Sequence, residues 1–185
     1  LQRGVVDRAL PAALQAALRE LTVKDAAQRR FRVLEASASL RDLSRLRLRE
    51  GEGPADWLLV CDQGRWKGTI DDTPLQTLPV QCWDRERVGD HLQPLESLPS
   101  IRDNAPLWQA VLLLDQDDTR RLLVISPAGL PSGTLERPEL AEAVLERLGV
   151  RLPAPILDAA RRQGVYPLGM ALPQVARSMQ ASGEA

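Results

Sequence analysis

Carboxylates and the single histidine are the side chains that could carry catalysis in this sequence. Asp71 lies next to Asp72, and Asp117 lies next to Asp118. Adjacent side chains point apart, so neither pair can flank one bond as the two acids of a glycoside hydrolase do. His91 is the only histidine, and a metal or nucleophilic site would need further ligands or a partner base. We therefore expect no catalytic constellation, and a solvated or capping role for His91.

The remaining reactive groups match no known catalytic motif. Cys61 and Cys82 are the two cysteines, and because their spacing fits neither a metal nor a redox motif we expect buried, reduced thiols. The segment GEGPAD, residues 51–56, lacks the Lys-Ser/Thr pair and the helix start of a phosphate loop, so it is predicted to be a flexible turn. The serines lack a nucleophile-elbow context. The sequence thus favours a non-enzyme without a metal site.

Arginines form the most regular charge pattern in the chain. Arg41, Arg45 and Arg49 recur every four residues, which on a helix produces one basic stripe. We interpret this stripe as a solvated face, with an acidic partner surface or lipid headgroups as the alternative.

Composition limits the class of protein further. The chain has 185 residues, 44% of them hydrophobic, enough for one or two small domains. Its 24 basic and 25 acidic residues leave a net charge of -1, which gives no field that attracts nucleic acid. No apolar run approaches the roughly 20 residues of a spanning helix, and the start LQRGVVDRAL lacks the apolar centre of a signal peptide. Because the chain begins with Leu, we expect a fragment of a longer protein, without a nucleic-acid partner or direct membrane insertion.

An internal repeat organises the sequence. The phrase GTID at residues 68–71 returns as GTLE at residues 133–136, which is 65 positions later. At the same offset LLV falls on LVI, and TVKDAA at residues 22–27 falls on RVGDHL at residues 87–92. Between these anchors the alignment slips by one or two residues, as loops of slightly different length allow. The chain is therefore predicted to contain two copies of one unit of about 65 residues.

Each copy is predicted to contain the same elements in the same order. An extended segment, around residues 32–34 or 98–101, precedes a helix, and two apolar runs around a glycine-containing turn then indicate a hairpin. A final helix begins at Thr73-Pro74 in the first copy and at Arg137-Pro138 in the second, because proline in the first turn loses no hydrogen bond. This β-α-β-β-α order requires a sheet covered by helices, with a right-handed first crossover.

Local signals predict where other helices begin. Thr22 with Asp25 is typical of a capping box, and Asn104 with Pro106 indicates a cap followed by a first-turn proline. A further helix is predicted over about residues 5–18.

The fold class is therefore α/β (α+β), with two repeats and flanking segments. The predicted divisions are an N-terminal helical linker, a first unit, a second unit and a C-terminal helical extension, at residues 1–20, 21–80, 81–150 and 151–185. The extension should form helices over about residues 156–162 and 172–179. Its many apolar positions favour packing on the repeat core, with a homodimer contact as the alternative.

This tandem unit resembles a pair of CBS domains, the regulatory modules named after cystathionine β-synthase. The resemblance spans residues 21–149 and rests on the TVKD lead-in, the apolar hairpin and the glycine that begins the last strand. The flanking segment RALPAALQAALRELTVKD looks like the one that precedes the CBS pair of some bacterial site-two type membrane metallopeptidases. The resemblance implies two non-catalytic units packed as a pseudo-twofold pair, with adenosine nucleotides or related ligands bound in the cleft between them.

In the family pattern the glycine is followed by two aliphatic residues, a Thr or Ser that contacts phosphate, two variable residues and an Asp that binds ribose. Here the hydroxyl position holds Asp71 or Glu136, and the ribose position holds Pro74 or Glu139. An ionised carboxylate repels phosphate, and proline cannot replace the Asp acceptor. We expect Asp71 and Glu136 to be solvated acids before a helix N-terminus. Candidate ligand-binding residues implied by the resemblance are Thr134, Glu136 and Glu139 in the second copy, and Thr69 and Asp71 in the first.

These departures favour a regulatory module of a larger protein, acting through dimerisation or intramolecular regulation, and leave an adenosine-nucleotide sensor as the alternative. No cofactor is required, and an adenosine nucleotide is the candidate ligand. The expected partners are a second copy of the chain, as a homodimer, and an attached effector domain. We expect a cytoplasmic location, which includes the cytoplasmic face of a membrane protein.

Overall fold

A computed structural model describes residues 2–50 and 55–183. Within these ranges the chain is a mixed α/β protein with two three-stranded sheets. The helices are α1 Gln2–Glu20, α2 Val23–Ala26, α3 Leu40–Arg49, α4 Thr73–Thr77, α5 Leu107–Asp115, α6 Arg137–Arg147, α7 Ala154–Gln163 and α8 Leu172–Ala181. The strands are β1 Phe31–Glu35, β2 Trp57–Asp62, β3 Arg65–Ile70, β4 Ser100–Arg102, β5 Arg121–Ile125 and β6 Pro131–Glu136. The predicted fold class and both β-α-β-β-α repeats are confirmed. Most of the GEGPAD turn, residues 51–54, lies outside the described residues.

The first sheet has the order β1-β2-β3 and belongs to a compact unit that spans Arg30–Leu98. β1 runs parallel to β2, and β2 pairs antiparallel with β3. The apolar centre of β2, Leu58 to Val60, is fully buried, and Leu40 and Leu43 of α3 belong to the same core. Leucines three residues apart share one helix face, so this face of α3 packs on the sheet.

The second sheet has the order β4-β5-β6, with β4 parallel to β5 and β5 antiparallel to β6. It belongs to a unit made of Leu1–Arg29 and Pro99–Ala185. The crossover helix α5 is buried along Leu107, Ala110, Val111 and Leu114. Helix α6 adds Leu140 and Val144 to this core.

The two units divide the chain differently from the repeat boundaries, because the lead-in segments are exchanged. The first lead-in, residues 21–29, lies with the second repeat: Val23 N–H donates to the Ala105 carbonyl at 2.9 Å. The second lead-in lies with the first repeat in the same way, since Val88 N–H donates to the Ala38 carbonyl at 2.7 Å. Each sheet and helix layer is therefore closed by backbone bonds to a segment that the sequence places in the other copy.

The C-terminal extension packs on the core of the unit that contains it. Leu172, Ala176 and Met179 of α8 are buried in one cluster with Leu18 of α1 and Trp108 of α5. The prediction that the apolar positions of the extension cover the repeat core is thus confirmed for α8.

Of two predicted helix signals, one is confirmed and one differs from the structure. At α2 the Asp25 carboxylate accepts hydrogen bonds from the Thr22 N–H at 2.8 Å and the Thr22 hydroxyl at 3.1 Å, so the capping pair is formed. At α5 the residue before the first helical position is Pro106 itself, and Asn104 is not the cap. A cap at Asn104 would start the helix at residue 105, whereas α5 begins two residues later, because its first N–H, at Leu107, donates to the Leu21 carbonyl at 3.0 Å.

None of the helices in the described ranges is long and apolar enough to cross a membrane.

Candidate functional site

The junction between β6 and α6 carries the three candidate residues of the second repeat. Gly133 and Thr134 are buried in β6, Glu136 is its last residue, and Glu139 lies in the first turn of α6. Pro138 in that turn has no N–H to satisfy, and its φ suits a helix start. Consecutive strand and helix positions thus bring Glu136 and Glu139 to one end of the sheet. They are both buried, with 5% and 4% of their surface exposed.

Thr134 is fully buried, and its backbone N–H and carbonyl are hydrogen-bonded to another segment of the chain. Its N–H donates to the Gln28 carbonyl at 2.7 Å, and its own carbonyl accepts from the Gln28 N–H at 2.8 Å. This reciprocal pair adds residue 28, from the exchanged lead-in, to the free edge of β6.

Glu136 lies beside Arg121, the first residue of β5, and beside Arg120, which precedes it. Its Oε2 is 3.3 Å from Nε of Arg121, whose side chain is 5% exposed, and its Oε1 is 3.9 Å from Nε of Arg120. The prediction that Glu136 is a solvated acid is therefore wrong. A buried carboxylate needs a cation partner, and β5, paired antiparallel with β6, places Arg121 directly opposite Glu136.

Glu139 is held by the C-terminal extension. Its Oε1 accepts a hydrogen bond at 3.0 Å from Nε of Arg161, on α7. The carboxylate is 4% exposed, whereas the arginine side chain is 39% exposed. Arg161 also lies 3.5 Å from Asp158, one turn earlier on its own helix. The acceptor that the family pattern assigns to ribose is thus occupied by a guanidinium of the same chain.

Two further arginines fix the C-terminal end of α7 near this junction. Arg120 donates to the carbonyls of Arg161 and Arg162 at 3.2 and 3.0 Å. Arg137 donates to the Leu114 carbonyl at 2.6 Å and to the Gly164 carbonyl at 3.4 Å. Cations at a helix C-terminus are favourable because the last carbonyls have no partner within the helix. The extension is therefore attached to the junction by its backbone as well as by Arg161.

The corresponding junction of the first repeat, between β3 and α4, is built differently. Thr69 is buried and its hydroxyl donates to the Leu58 carbonyl at 2.8 Å. Its N–H and carbonyl pair with Gln93, both at 2.8 Å, as Thr134 pairs with Gln28. Pro74, which takes the position of Glu139, is buried in the short helix α4.

Asp71 is the exposed acid of this junction, as predicted. Its Oδ1 accepts from the Thr73 N–H at 2.9 Å, and its Oδ2 accepts from the Gln93 side-chain amide at 3.1 Å. The backbone N–H of Thr73 lowers the pKa of Asp71 below 3.8, and the Gln93 amide contributes in the same direction. Next to it, Asp72 accepts from Nε of Arg47 at 2.8 Å. The carboxylate of Asp71 is thus stabilised in its ionised form.

Other residues considered in the sequence have ordinary structural partners. His91 lies 2.9 Å from Glu86. Cys61 and Cys82 are free and half-buried, so the expectation of fully buried thiols is wrong. Burial raises the pKa of the Cys61 thiol. In the basic stripe, Arg41 contacts Asp84 at 3.2 Å and Arg45 contacts Asp42 at 3.8 Å. No cluster of three or more metal-ligating side chains occurs in the described part of the chain.

The structure therefore brings Thr134, Glu136 and Glu139 together at one junction, and Thr69 and Asp71 at the equivalent junction of the other unit. Sequence reasoning did not identify Arg121 and Arg161 as their partners. One signal was available: an acid in a buried segment such as LERPEL requires a cation, and Arg161 and Arg162 stand in the predicted extension helix. Sequence spacing cannot say which arginine reaches which acid.

Comparison with known proteins supports the fold. No family model matches the chain, and no curated protein matches it. Among solved structures, the CBS domain of the bacterial CNNM/CorC family Mg2+ transporter in complex with ATP is 16% identical, with a TM-score of 0.53 over 79% of this chain and 99% of that one. The CBS-pair protein CBSX2 from Arabidopsis thaliana is 26% identical, with a TM-score of 0.50 over 70% of this chain and 97% of that one. The chain has the fold of a tandem CBS-domain pair, which confirms the resemblance found in its sequence.

Proposed function

We propose that this chain is a non-catalytic regulatory module of a larger protein, and that it acts through contacts of the polypeptide rather than through a bound nucleotide. The observation that carries this proposal is the Glu139–Arg161 pair. Glu139 occupies the family's ribose-binding position, is 4% exposed and is held at 3.0 Å by an arginine of the C-terminal extension. A nucleotide that uses this carboxylate must compete for it with the arginine.

The charges at the second junction also disfavour the binding of a nucleotide. Glu136 takes the place of the family's phosphate-binding hydroxyl. At about 5 Å and an effective dielectric near 20, its repulsion of a phosphate amounts to roughly 3 kcal/mol. Arg121 offsets part of this charge, but it is already paired with Glu136 at 3.3 Å. The first junction offers Asp71 and Pro74, one anion and one residue without an acceptor side chain.

The link to a larger protein is supported by the solved relatives. One is the CBS domain of a bacterial Mg2+ transporter, so the same fold occurs there as one domain of a larger protein. For the present chain we propose an attached effector domain and a cytoplasmic location. A membrane metallopeptidase of the site-two type is the effector that the sequence resemblance favours.

An adenosine-nucleotide sensor is the second candidate, favoured by the ATP complex of the transporter's CBS domain. For this chain we assign such a ligand to the second repeat, at Thr134, Glu136 and Glu139, because Pro74 removes the ribose acceptor from the first. Adenosine should then bind as well as or better than its triphosphate without a divalent ion, since Glu136 repels phosphate.

Thermal unfolding with added nucleotide distinguishes the two candidates. A ligand present at 100 times its dissociation constant stabilises the folded state by about 2.7 kcal/mol. The proposed function predicts no shift of the unfolding midpoint with millimolar adenosine or ATP, with or without Mg2+. A shift that requires Glu139 would establish the sensor instead.

A further inference from the structure

An exposed leucine lies within the basic stripe of α3. Arg41, Arg45 and Arg49 recur every four positions, and Leu48 shares their side of the helix because residues three, four and seven apart lie on one face. The Leu48 side chain is 85% exposed. A single exposed leucine is normal on a protein surface, but here it stands among cations whose charge is largely unpaired.

The arginines of α3 differ in how far their charge is neutralised. Arg47 lies on the core side, where its Nε donates to Asp72 at 2.8 Å and its Nη1 donates to Glu50 at 3.1 Å. Arg45 is 64% exposed and approaches a carboxylate only at 3.8 Å. Arg49 is also exposed, and within the described ranges no carboxylate lies at ion-pair distance from it. The C-terminal half of the stripe therefore presents two cations to a partner.

Arg41, at the other end of the stripe, is oriented by its neighbours. Its guanidinium carbon lies 5.3 Å from the centre of the Trp83 ring, and its Nε donates to Asp84 at 3.2 Å. The Asp84 side chain is 70% exposed, so this pair stays in contact with water and is weak. A guanidinium that is already held over an aromatic ring loses less freedom when it binds a second carboxylate.

We propose that this face of α3 binds an acidic amphipathic helix of a partner protein, whose carboxylates recur every four residues and pair with Arg41, Arg45 and Arg49. The inference deepens the proposed function, because it rests on a module that acts through polypeptide contacts and it names the chemistry of the partner. The stripe spans eight residues, or about 12 Å of helix, so a partner helix of the same pitch meets all three arginines. Leu48 supplies an apolar contact between these ion pairs.

The distribution of charge favours a protein partner over an anionic membrane. Asp42 and Asp84 border the stripe, and their side chains are 51% and 70% exposed. Together with the three arginines they leave a small net charge, whereas attraction to anionic lipid depends on many basic residues. A membrane-binding helix also needs a broad apolar face, and in α3, which the structure describes throughout, Leu48 is the one strongly exposed apolar side chain. A protein surface can place opposite charges against the acids as well as against the arginines.

Fluorescence anisotropy with a labelled helical peptide tests this surface. The probe carries three glutamates four positions apart and a leucine between the second and the third, and a second probe has the same composition in scrambled order. The wild-type chain should bind the patterned probe with a Kd of about 10–100 µM and the scrambled probe at least tenfold more weakly. Arg45→Glu should weaken binding of the patterned probe at least tenfold. Lysine in place of the middle glutamate, which faces Arg45 in either helix direction, should restore binding to this variant.

Lys67→Glu is the matched control, because it makes the same change of charge sign at an exposed position of β3, outside α3. It should change the affinity by less than about twofold, and Leu48→Ala should weaken binding about threefold through the lost apolar contact. Equal binding of the two probes, or equal weakening by Lys67→Glu and Arg45→Glu, would overturn the proposal. So would the absence of binding at about 500 µM chain.

Vesicles of phosphatidylcholine with about 30% phosphatidylserine provide the lipid comparison. The chain should stay unbound in a flotation assay, and binding that Arg45→Glu abolishes would assign the stripe to lipid and contradict the proposal. Nucleotide titration tests the proposed function separately, because no residue changed here lies at the junction of β6 and α6.

Discussion

Thr134 and Gln28 exchange two backbone hydrogen bonds, of 2.7 and 2.8 Å, although they lie 106 positions apart in the chain. Thr69 and Gln93 repeat this relationship with two bonds of 2.8 Å in the other unit. In both cases a glycine precedes the threonine, and in both the partner belongs to the lead-in of the other repeat. The two repeats are therefore completed by exchanged segments, and this exchange depends on a close backbone approach at Gly68 and Gly133.

Gly133→Ala should destabilise the protein by about 1–3 kcal/mol. A Cβ at this position would lie 2.6 Å from the Gln28 carbonyl oxygen, and neither backbone segment can move without breaking the Thr134–Gln28 pair. Urea unfolding followed by circular dichroism measures the change. Ser132→Ala, at the adjacent exposed position, is the control and should cost less than about 1 kcal/mol. Equal unfolding free energies for Gly133→Ala and wild type would show that the lead-in is not packed as described.

Arg161→Ala should destabilise the protein by about 2 kcal/mol, because it leaves the Glu139 carboxylate buried without its cation. The estimate is below that for a fully buried pair, since the Arg161 side chain is 39% exposed. Adding Glu139→Gln to Arg161→Ala should recover part of the loss. Arg177→Ala is the matched control: its pair with Asp115 is half exposed and should contribute less than about 0.5 kcal/mol. If both arginine variants unfold alike, Arg161 does not hold the extension.

Asp71 should titrate below pH 3.8, and Gln93→Ala should raise its pKa towards that value. The Thr73 N–H and the Gln93 amide favour the ionised form, so the folded-state pKa is depressed. A depressed carboxyl pKa contributes stability above the unfolded-state pKa of 3.8, and this contribution is lost as the pH falls through the folded-state pKa. The destabilisation caused by Asp71→Asn should therefore disappear in acid below this range. Carbon-detected NMR titration gives the pKa directly, and a value above 3.8 in the wild type would contradict the assigned contacts.

The fold was largely predictable, and the lead-in exchange was not. The apolar runs of the hairpins and the prolines Pro74 and Pro138 in the first turns of α4 and α6 specify elements through local chemistry, and these predictions are confirmed. Nothing local distinguishes whether Gln28 pairs with the sheet of its own repeat or with the other, because two similar edges compete for the same backbone groups. The structure selects the other edge.

The sequence predicted where the candidate residues lie, but it did not predict which side chains contact them. Thr134, Glu136 and Glu139 lie at one junction because their spacing follows the end of a strand and the first turn of a helix. Glu136 was expected in solvent, since it stands just before a helix N-terminus, where the macrodipole favours an exposed acid. Its burial depends on Arg121, which reaches it through the register of β5 and β6. Tertiary pairs of this kind are set by register and helix packing, which a single sequence does not reveal.

Calorimetric titration of adenosine and ATP, with and without Mg2+, into the wild-type chain tests the proposed function most directly, with Glu139→Ala measured alongside. If Arg161 occupies the ribose position and Glu136 repels phosphate, no ligand should bind with a dissociation constant below about 1 mM, which corresponds to roughly 4.1 kcal/mol. Micromolar binding of either ligand to the wild type, lost in Glu139→Ala, would contradict the account and identify the chain as a nucleotide sensor.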